Sequence, residues 1–259
     1  MSQLTIHNVE HGNCITLEHD NGNVLMWDCG ASESFSPTQY LLERGVNEIQ
    51  HLFISNFDQD HLNDLPNLRA NINIRSLYRN KSISADQLHS LKLQGGSLTN
   101  AMTSMIAMIE SYNSGPISPP PQFPNITWKI YCNSYGSAYP DTNNISLVTF
   151  LTCGRIKLII PGDIESSGWD GLLAQSGFAD ELREVDYFIA SHHGRQNGYH
   201  EAIMNLCSPL AVIMSDGQKV HATQEQVQTY ANHCRGIQFN GATRYVLTTR
   251  NDGSLTFSI

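Results

Sequence analysis

The sequence predicts a mixed α/β fold in which two β-sheets are sandwiched between helices. Apolar and polar side chains alternate along the first thirty residues, which is typical of an opening run of strands. Those predicted strands cover residues 4–9, 14–17 and 24–27. The second half of the chain has a comparable set, at residues 128–131, 146–151 and 156–160. Strands precede helices in both halves, and this order favours two sheets with helices on their outer faces.

Helices are indicated by capping residues and by periodicity. Ser36 and Pro37 supply an N-cap and a first-turn proline, and Gly45 ends the predicted helix. Residues 84–111 carry apolar side chains at spacings near three and four, which predicts further helix. At the end of the chain, the apolar runs 246–249 and 255–259 flank a turn sequence, and we expect them to form a closing hairpin.

Length and composition place the chain among ordinary globular proteins. Its 259 residues can form one layered core, and we expect a single domain over residues 1–259. The chain lacks the run of about 18 apolar residues that spans a bilayer, so no membrane partner is expected. The amino terminus lacks the basic start and apolar core of a secretory signal, which favours a cytoplasmic location.

Charge and cysteine content exclude several classes of function. Lys and Arg total 15 against 24 Asp and Glu, a formal charge of −9. That balance argues against a long nucleic-acid track on the protein surface, because such tracks are made of clustered Lys and Arg. The six cysteines are scattered without a CxxC pair, so we interpret them as small core residues.

The strongest local signal for chemistry lies just after the predicted strand 51–55. Asn56, Asp58, Asp60 and His61 bring two carboxylates, an amide and an imidazole into one short segment. Neighbouring carboxylates repel one another unless a proton, a basic group or a metal relieves them, and the segment has no nearby Lys or Arg. An EF-hand loop is disfavoured because its required glycine and glutamate are missing. A solvated acidic loop remains the plain alternative.

Two further groups follow apolar strands later in the chain. Asp163 comes after the strand 156–160, and His192 and His193 come after the apolar run 187–190. Each signal is weak alone, since Gly-Asp turns are common and paired histidines also serve as caps. Side chains at the carboxyl ends of different strands can converge on one pocket, however, and this predicts a shared site.

In this order, the motifs resemble those of the metallo-β-lactamase superfamily, and they are most similar to the hydrolase domain of ComEC-type competence proteins. That domain carries His-x-Asp-x-Asp-His, an Asn/Ser-Leu-Val strand, Gly-Asp and His-His-Gly. The corresponding segments here are Asn56-Phe-Asp58-Gln-Asp60-His61, Asn144-Ile-Ser146-Leu-Val148, Gly162-Asp163 and His192-His193-Gly194. Two shorter segments also resemble family turns, Val9-Glu-His-Gly12-Asn13 and Asp28-Cys29-Gly30. The resemblance implies a four-layer αββα sandwich.

The resemblance also implies one or two divalent metal ions, manganese or zinc. One ion would be held by Asp60, His61, Asp163 and either His192 or His193, with Asp163 bridging to a second ion. The second site is the weaker one, because the positions of its usual ligands here carry Asn56, Asp58, and Asn143 or Asn144. Amide oxygens bind metals less strongly than neutral imidazoles do.

By the same resemblance, the protein is expected to be a metal-dependent hydrolase that uses a metal-bound hydroxide. Among such hydrolases, a phosphodiesterase or nuclease is the expected class. Asp60 and His221 are the predicted catalytic residues. The expected partner is a phosphodiester such as nucleic acid or a nucleotide, with a further protein partner left open. Two alternatives stay open: a lactone, thioester or amide hydrolase of the same fold, and a catalytically impaired regulatory or interaction protein.

Overall fold

The strands and helices follow the two-part order that the sequence predicts. The computed structural model describes residues 1–112, 117–219, 223 and 226–259. The strands are β1 Gln3–Ile6, β2 Ile15–Glu18, β3 Val24–Trp27, β4 Glu48–Ile49, β5 His51–Phe53, β6 Asn73–Ile74, β7 Leu77–Tyr78, β8 Ile126–Tyr131, β9 Val148–Cys153, β10 Ile156–Ile160, β11 Tyr187–Ile189, β12 Ala211–Met214, β13 Ile237–Phe239, β14 Ala242–Arg244, β15 Val246–Thr248 and β16 Leu255–Ser258. The helices are α1 Pro37–Glu43, α2 Gln59–Leu62, α3 Leu65–Asn71, α4 Ala85–Leu93, α5 Asn100–Ser111, α6 Ser166–Leu173, α7 Phe178–Leu182, α8 Glu201–Cys207, α9 Val227–Ala231 and α10 Thr249–Asp252.

Two six-stranded sheets contain most of these strands. The first has the order β16-β1-β2-β3-β5-β7, and the second has the order β15-β12-β11-β10-β9-β8. Each sheet changes from antiparallel to parallel pairing near its middle: β3, β5 and β7 run parallel, as do β10, β11, β12 and β15. The carboxyl ends of parallel strands lie at one edge of a sheet, so the loops that follow them can share a site.

The apolar residues form three layers of core. One cluster lies between the sheets and includes Trp27 and Phe53 from the first and Leu158 from the second. The others lie on the outer faces, where helices cover the sheets, with Met26 packed in the first outer cluster and Trp169 in the second. Trp27 and its chain neighbour Met26 point to opposite faces, as the two-residue period of a strand requires. The predicted αββα sandwich is confirmed.

The expected closing hairpin is wrong. β15 pairs with β12 in the second sheet, whereas β16 pairs with β1 in the first. The residues between them form the short helix α10, because the Thr248 side chain accepts a hydrogen bond from the Asn251 backbone and caps the first turn. This segment therefore carries the chain from one sheet to the other. A true hairpin, β13–β14, surrounds the turn at Asn240 and Gly241, which is a typical hairpin sequence that the sequence analysis missed.

The remaining expectations concern cysteines and membranes. All six cysteines are unpaired, and four of them are buried, in agreement with a packing role. Among the described helices, none has both the length and the apolar character needed to cross a bilayer.

Candidate metal centre

Four polar side chains from both sheets meet where strands end. Asp60 and His61 lie on α2, the short helix that follows β5. Asp163 follows β10, and His193 lies in a tight turn after β11. One donor atom from each of these residues lies within 4.8 Å of the donor atoms of the other three. We call this group the four-residue cluster.

The cluster brings imidazole nitrogens and carboxylate oxygens face to face. His61 Nε2 lies 3.0 Å from Asp163 Oδ1. His193 Nε2 lies 3.2 Å from Asp60 Oδ2 and 3.6 Å from Asp163 Oδ1. Carboxylate oxygens and unprotonated imidazole nitrogens are both acceptors, so these contacts require protons or a cation between them.

Asp28 sets the orientation of His61. Its Oδ2 lies 2.8 Å from His61 Nδ1 and also accepts hydrogen bonds from Asn13 Nδ2 and Ser55 Oγ, at 2.7 and 2.5 Å. The Ser55 backbone donates to its other oxygen at 2.7 Å. A carboxylate held in this way keeps the proton of a neutral His61 on Nδ1, so Nε2 is directed at Asp163 as a potential ligand. Such a carboxylate behind a ligating histidine is common in metal sites.

A backbone carbonyl does the same for His193. The Nδ1 of His193 donates to the Ser215 oxygen at 2.9 Å, at the end of β12. Its Nε2 is buried and makes no hydrogen bond of acceptable geometry with the described residues. A buried polar atom without a hydrogen-bond partner is costly and needs an explanation. A cation bound by the four-residue cluster would supply that partner, so the donor set fits a divalent metal.

The electrostatics of the cluster without metal point the same way. Burial opposes a charge on His193, but Asp163 and Asp60 outweigh it and raise the pKa of His193 to about 9. The pKa of His61 is raised well above its usual value, because Asp163 and Asp28 outweigh its burial. The pKa of Asp163 falls well below its usual range, since the charges of His61 and His193 overcome the effect of burial. The two imidazoles thus hold protons where a metal would replace them.

The backbone around the cluster is tightly constrained. A side chain on Gly12 or Gly30 would meet the Asp60 backbone oxygen at 2.4 Å, so only glycine lets both loops approach α2 this closely. His192 and His193 both have left-handed backbones, with φ of 50° and 56°. Left-handed residues other than glycine are strained, and they concentrate at functional sites. The turn after β11 is therefore held in an unfavourable conformation that directs its histidines.

The residues predicted for a second metal behave differently. We call Asn56, Asp58, Asn143 and Asn144 the amide region. Asn56 Nδ2 donates to Asn143 Oδ1 at 2.9 Å, and its own Oδ1 accepts from the Asp58 backbone at 2.7 Å. Asn144 Oδ1 accepts from the Gly168 backbone at 2.9 Å within α6. These amides already have partners.

Lys92 supplies a positive charge to the amide region. Its ammonium bonds Asp58 Oδ1 and also lies 3.2 Å from Thr142 Oγ1. Thr142 donates to the same Asp58 oxygen at 2.8 Å. The carboxylate that the sequence places in the second site is therefore paired with a basic side chain from α4, and the structure does not bring it into the four-residue cluster.

Of the remaining predicted residues, His192 lies at the edge of the cluster and His221 lies outside the described residues. His192 is not one of the four cluster residues: its Nε2 lies 4.0 Å from Asp163 Oδ2, and its Nδ1 lies 3.4 Å from Glu165 Oε1. His221, the predicted proton donor, lies outside the described residues, so its role stays a prediction.

Sequence reasoning missed two residues beside the cluster. Arg195 Nη2 lies 3.0 Å from His11 Nε2, and this same His11 nitrogen lies 3.5 Å from Asp60 Oδ2. The imidazole of His11 packs against that of His193 with a centroid distance of 4.5 Å. The available signals were that Arg195 directly follows His-His-Gly and that His11 lies in one of the family-like turns.

Comparisons with known proteins concern the fold and part of the sequence. A family model for the metallo-beta-lactamase superfamily matches residues 7–94. No curated protein matches the chain. Igni18, a metallo hydrolase from Ignicoccus hospitalis KIN4/I, superimposes with a TM-score of 0.51 at 14% identity over 99% of both chains. YhfI from Bacillus subtilis, a metallo-beta-lactamase fold protein, gives 0.53 at 11% identity over 100% of both chains.

A third similar structure is CmlA, a diiron beta-hydroxylase from Streptomyces venezuelae. Its TM-score is 0.55 at 11% identity; the match includes all of this chain and 54% of CmlA, so this chain spans about half of that protein. Identities this low establish similarity of fold and no more. The chain has the metallo-β-lactamase fold, and its residues 7–94 are similar to the metallo-beta-lactamase superfamily.

Proposed function

We propose that this protein is a metal-dependent hydrolase of phosphodiesters, such as nucleotides or short nucleic acids. The observation that carries the proposal is the four-residue cluster, in which the buried His193 Nε2 faces two carboxylates without a hydrogen bond of its own. A divalent cation held there would act as a Lewis acid and lower the pKa of a bound water to about 7. The protein groups have the tasks of binding, orientation and proton transfer.

The ligand set suits manganese or zinc, and we propose that the cluster holds one such ion. Two imidazoles and two carboxylates are acceptable to zinc, and their oxygen content also suits manganese. CmlA is described as a diiron protein, so iron belongs in any metal analysis. Occupation of a second site would require the amide region to give up its present partners, so we propose that any second ion binds weakly.

Exposure separates the proposed roles of the two carboxylates. The side chain of Asp163 is 3% exposed, whereas that of Asp60 is 25% exposed. Asp163 lies between both imidazoles and is suited to holding the cation. Asp60 faces solvent on one side, so it is the carboxylate that can accept a proton from an attacking water. His61 and His193 are fixed by Asp28 and the Ser215 carbonyl, which lets them bind without reorganising.

The phosphodiester assignment is supported by the resemblance of the motifs to competence-type nuclease domains. The formal charge of −9 favours a short oligonucleotide, a cyclic nucleotide or a nucleic acid delivered by a partner protein over a long duplex. Fold likeness alone does not fix a substrate, because one fold supports many reactions. A lactone, thioester or amide hydrolase is the second enzyme hypothesis, and a regulatory protein without catalysis is the third.

Metal content and substrate class can be measured together. We expect purified protein to contain about one equivalent of manganese, zinc or iron by elemental analysis, and to hydrolyse bis-p-nitrophenyl phosphate when loaded with that metal. Parallel assays should use p-nitrophenyl acetate, a thioester, single-stranded DNA, RNA and cyclic dinucleotides. Turnover of phosphodiesters alone supports the proposal.

The other outcomes assign the protein to the competing hypotheses. Turnover restricted to esters or thioesters supports the second enzyme hypothesis and contradicts the phosphodiester assignment. Protein that neither binds metal nor turns over any of these substrates supports a regulatory role.

A further inference from the structure

The guanidinium of Arg195 lies beside the four-residue cluster and contacts two imidazoles. Its Nη2 lies 3.0 Å from His11 Nε2 and its Nη1 lies 3.5 Å from His192 Nε2. His11 in turn contacts Asp60, with 3.5 Å between His11 Nε2 and Asp60 Oδ2. One imidazole therefore separates the guanidinium from a proposed metal ligand.

The charge of Arg195 has no acidic partner within ion-pair distance among the described residues. Several arginines in this acidic chain pair with carboxylates, among them Arg44 with Glu18, Arg244 with Asp252 and Arg250 with Asp216. Arg69 and Arg79 instead donate to backbone carbonyls, so their charge is not directed at a site. Arg195 contacts two imidazoles, and its buried Nε makes no hydrogen bond with the described residues. A half-buried guanidinium of this kind retains both its charge and part of its donor capacity for a ligand.

His11 is suited to hold the guanidinium without neutralising it. Its Nε2 lies 3.0 Å from Arg195 Nη2, so the ring can accept a hydrogen bond from the guanidinium without supplying a negative charge. His192 Nε2 lies 3.5 Å from Nη1 of the same guanidinium. The two rings therefore orient Arg195 without placing a carboxylate against it.

The charge balance indicates the class of ligand. Asp60 and Asp163 would face a divalent cation directly, and Arg195 places a further positive charge beside it, with no acidic side chain of the described residues within ion-pair distance. A neutral ester or lactone makes no use of that charge, whereas an oxyanion does. The planar fork of arginine binds phosphate oxygens through paired N–H groups.

We propose that Arg195, positioned by His11 and His192, binds a phosphoryl oxygen of the substrate and selects phosphate esters over neutral esters. This inference rests on the proposed hydrolase function for its role in turnover, but anion binding by Arg195 can be measured without turnover. His11 and His192 are positioning residues in this arrangement.

The first test measures binding of inorganic phosphate by calorimetry. Wild-type protein, Arg195→Gln and Arg195→Lys are compared, each metal-free and metal-loaded. We expect Arg195→Gln to weaken phosphate binding about 10-fold to 100-fold in both states, as loss of a charged hydrogen bond implies. Arg195→Lys should retain part of the affinity, because it keeps the charge and loses the fork. The control is Arg183→Gln, which removes an exposed arginine that pairs with Asp180 on α7.

Metal content and thermal unfolding show whether each variant keeps its site. If Arg195→Gln loses metal or unfolds, the comparison is carried by Arg195→Lys, which retains the charge. Phosphate affinity that is equal in wild type and in an intact Arg195 variant overturns the inference. So does acetate or glutarate binding that depends on Arg195 and is tighter than phosphate binding.

A second test separates this inference from the proposed function. In metal-loaded protein, Arg195→Gln should lower kcat/KM for bis-p-nitrophenyl phosphate about 10-fold to 100-fold and leave any hydrolysis of neutral p-nitrophenyl acetate unchanged. Phosphodiester turnover that does not depend on Arg195 contradicts the inference and leaves the hydrolase function intact. Phosphate binding that depends on Arg195 without any turnover supports the inference and contradicts the proposed function.

Discussion

The four-residue cluster and the amide region are neighbours at the same edge of the sandwich, and both consist of side chains that can bind metal. They differ in whether their potential ligand atoms already make hydrogen bonds. In the cluster, His193 Nε2 makes no hydrogen bond of acceptable geometry with the described residues, and His61 has a cluster or supporting carboxylate at each ring nitrogen. In the amide region, Asn56 bonds Asn143 and the Asp58 backbone. A set of ligand-type residues is a metal site only where its donor atoms converge without other partners.

The largest effect should follow from removing the central carboxylate of the cluster. Asp163 faces both imidazoles, so Asp163→Ala should abolish bound metal and reduce hydrolysis to background. The fold should survive, because the apolar layers do not depend on this side chain. Elemental analysis, phosphodiester turnover and circular dichroism melts measure the three quantities. Asp60→Ala should behave in the same way.

Asp180→Ala is the matched control for these two variants, since Asp180 is 77% exposed and pairs only with Arg183 among the described residues. Unchanged metal content in Asp60→Ala and Asp163→Ala would refute the cluster as the metal centre. It would also mean that the four-residue cluster does not differ from the amide region in metal binding.

A smaller effect is expected behind the cluster, at Asp28. Asp28→Asn keeps the shape and an oxygen acceptor but removes the charge that faces His61 Nδ1 at 2.8 Å. Asparagine also tolerates the left-handed backbone of this position, where φ is 56°. Loss of such a carboxylate typically weakens metal binding about 10-fold to 100-fold. Competition with a chelator of known affinity measures the change.

Ser55→Ala provides a comparison for Asp28→Asn. It removes one hydrogen bond to Asp28, the 2.5 Å contact from Ser55 Oγ, and leaves the carboxylate charge in place. We expect it to weaken metal binding less than Asp28→Asn does. Equal metal affinity in wild type and Asp28→Asn would show that His61 does not depend on this carboxylate for its orientation.

The sequence predicts much of this arrangement because the cluster residues follow apolar strands, and strand ends can be located from periodicity. Asp60, His61 and Asp163 come from those positions. The sequence could not predict which of His192 and His193 belongs to the cluster. The choice depends on the Ser215 carbonyl, which lies just after β12, 22 residues further along the chain, and accepts a hydrogen bond from His193 Nδ1. Adjacent residues in a left-handed turn point in different directions, and no periodicity encodes which one faces the site.

The sequence also could not predict that Asp58 of the amide region is paired with a lysine, for a different reason. The sequence shows no basic residue close to Asp58, yet Lys92 reaches it from α4 across 34 positions. Long flexible side chains pair wherever packing brings them together, and single-sequence patterns carry no record of such pairs. The closing strands were misjudged for a related reason, because a turn sequence does not reveal that its two strands join different sheets.

The smallest effect is expected in metal stoichiometry, which tests whether the amide region can bind a second metal ion. Asn56→His places a histidine where the metallo-β-lactamase motif that this segment resembles has one, but the Lys92 ammonium would still pair with Asp58 and repel a second cation. We therefore expect Asn56→His alone to change stoichiometry little, and Asn56→His combined with Lys92→Met to bind a second, weaker equivalent of metal. Titration followed by elemental analysis distinguishes one equivalent from two.

Lys129→Met is the appropriate control for the lysine, since Lys129 lies on β8 of the second sheet, pairs with Glu181 of α7 and is 65% exposed. Two tight equivalents in the wild type would mean that the amide region rearranges when metal arrives, and that its hydrogen bonds are a metal-free conformation. One equivalent in the double variant would mean that Asn143 and Asn144 also prevent binding. Since Asn144 caps α6 through Gly168, the second site could then be opened only at the expense of that helix.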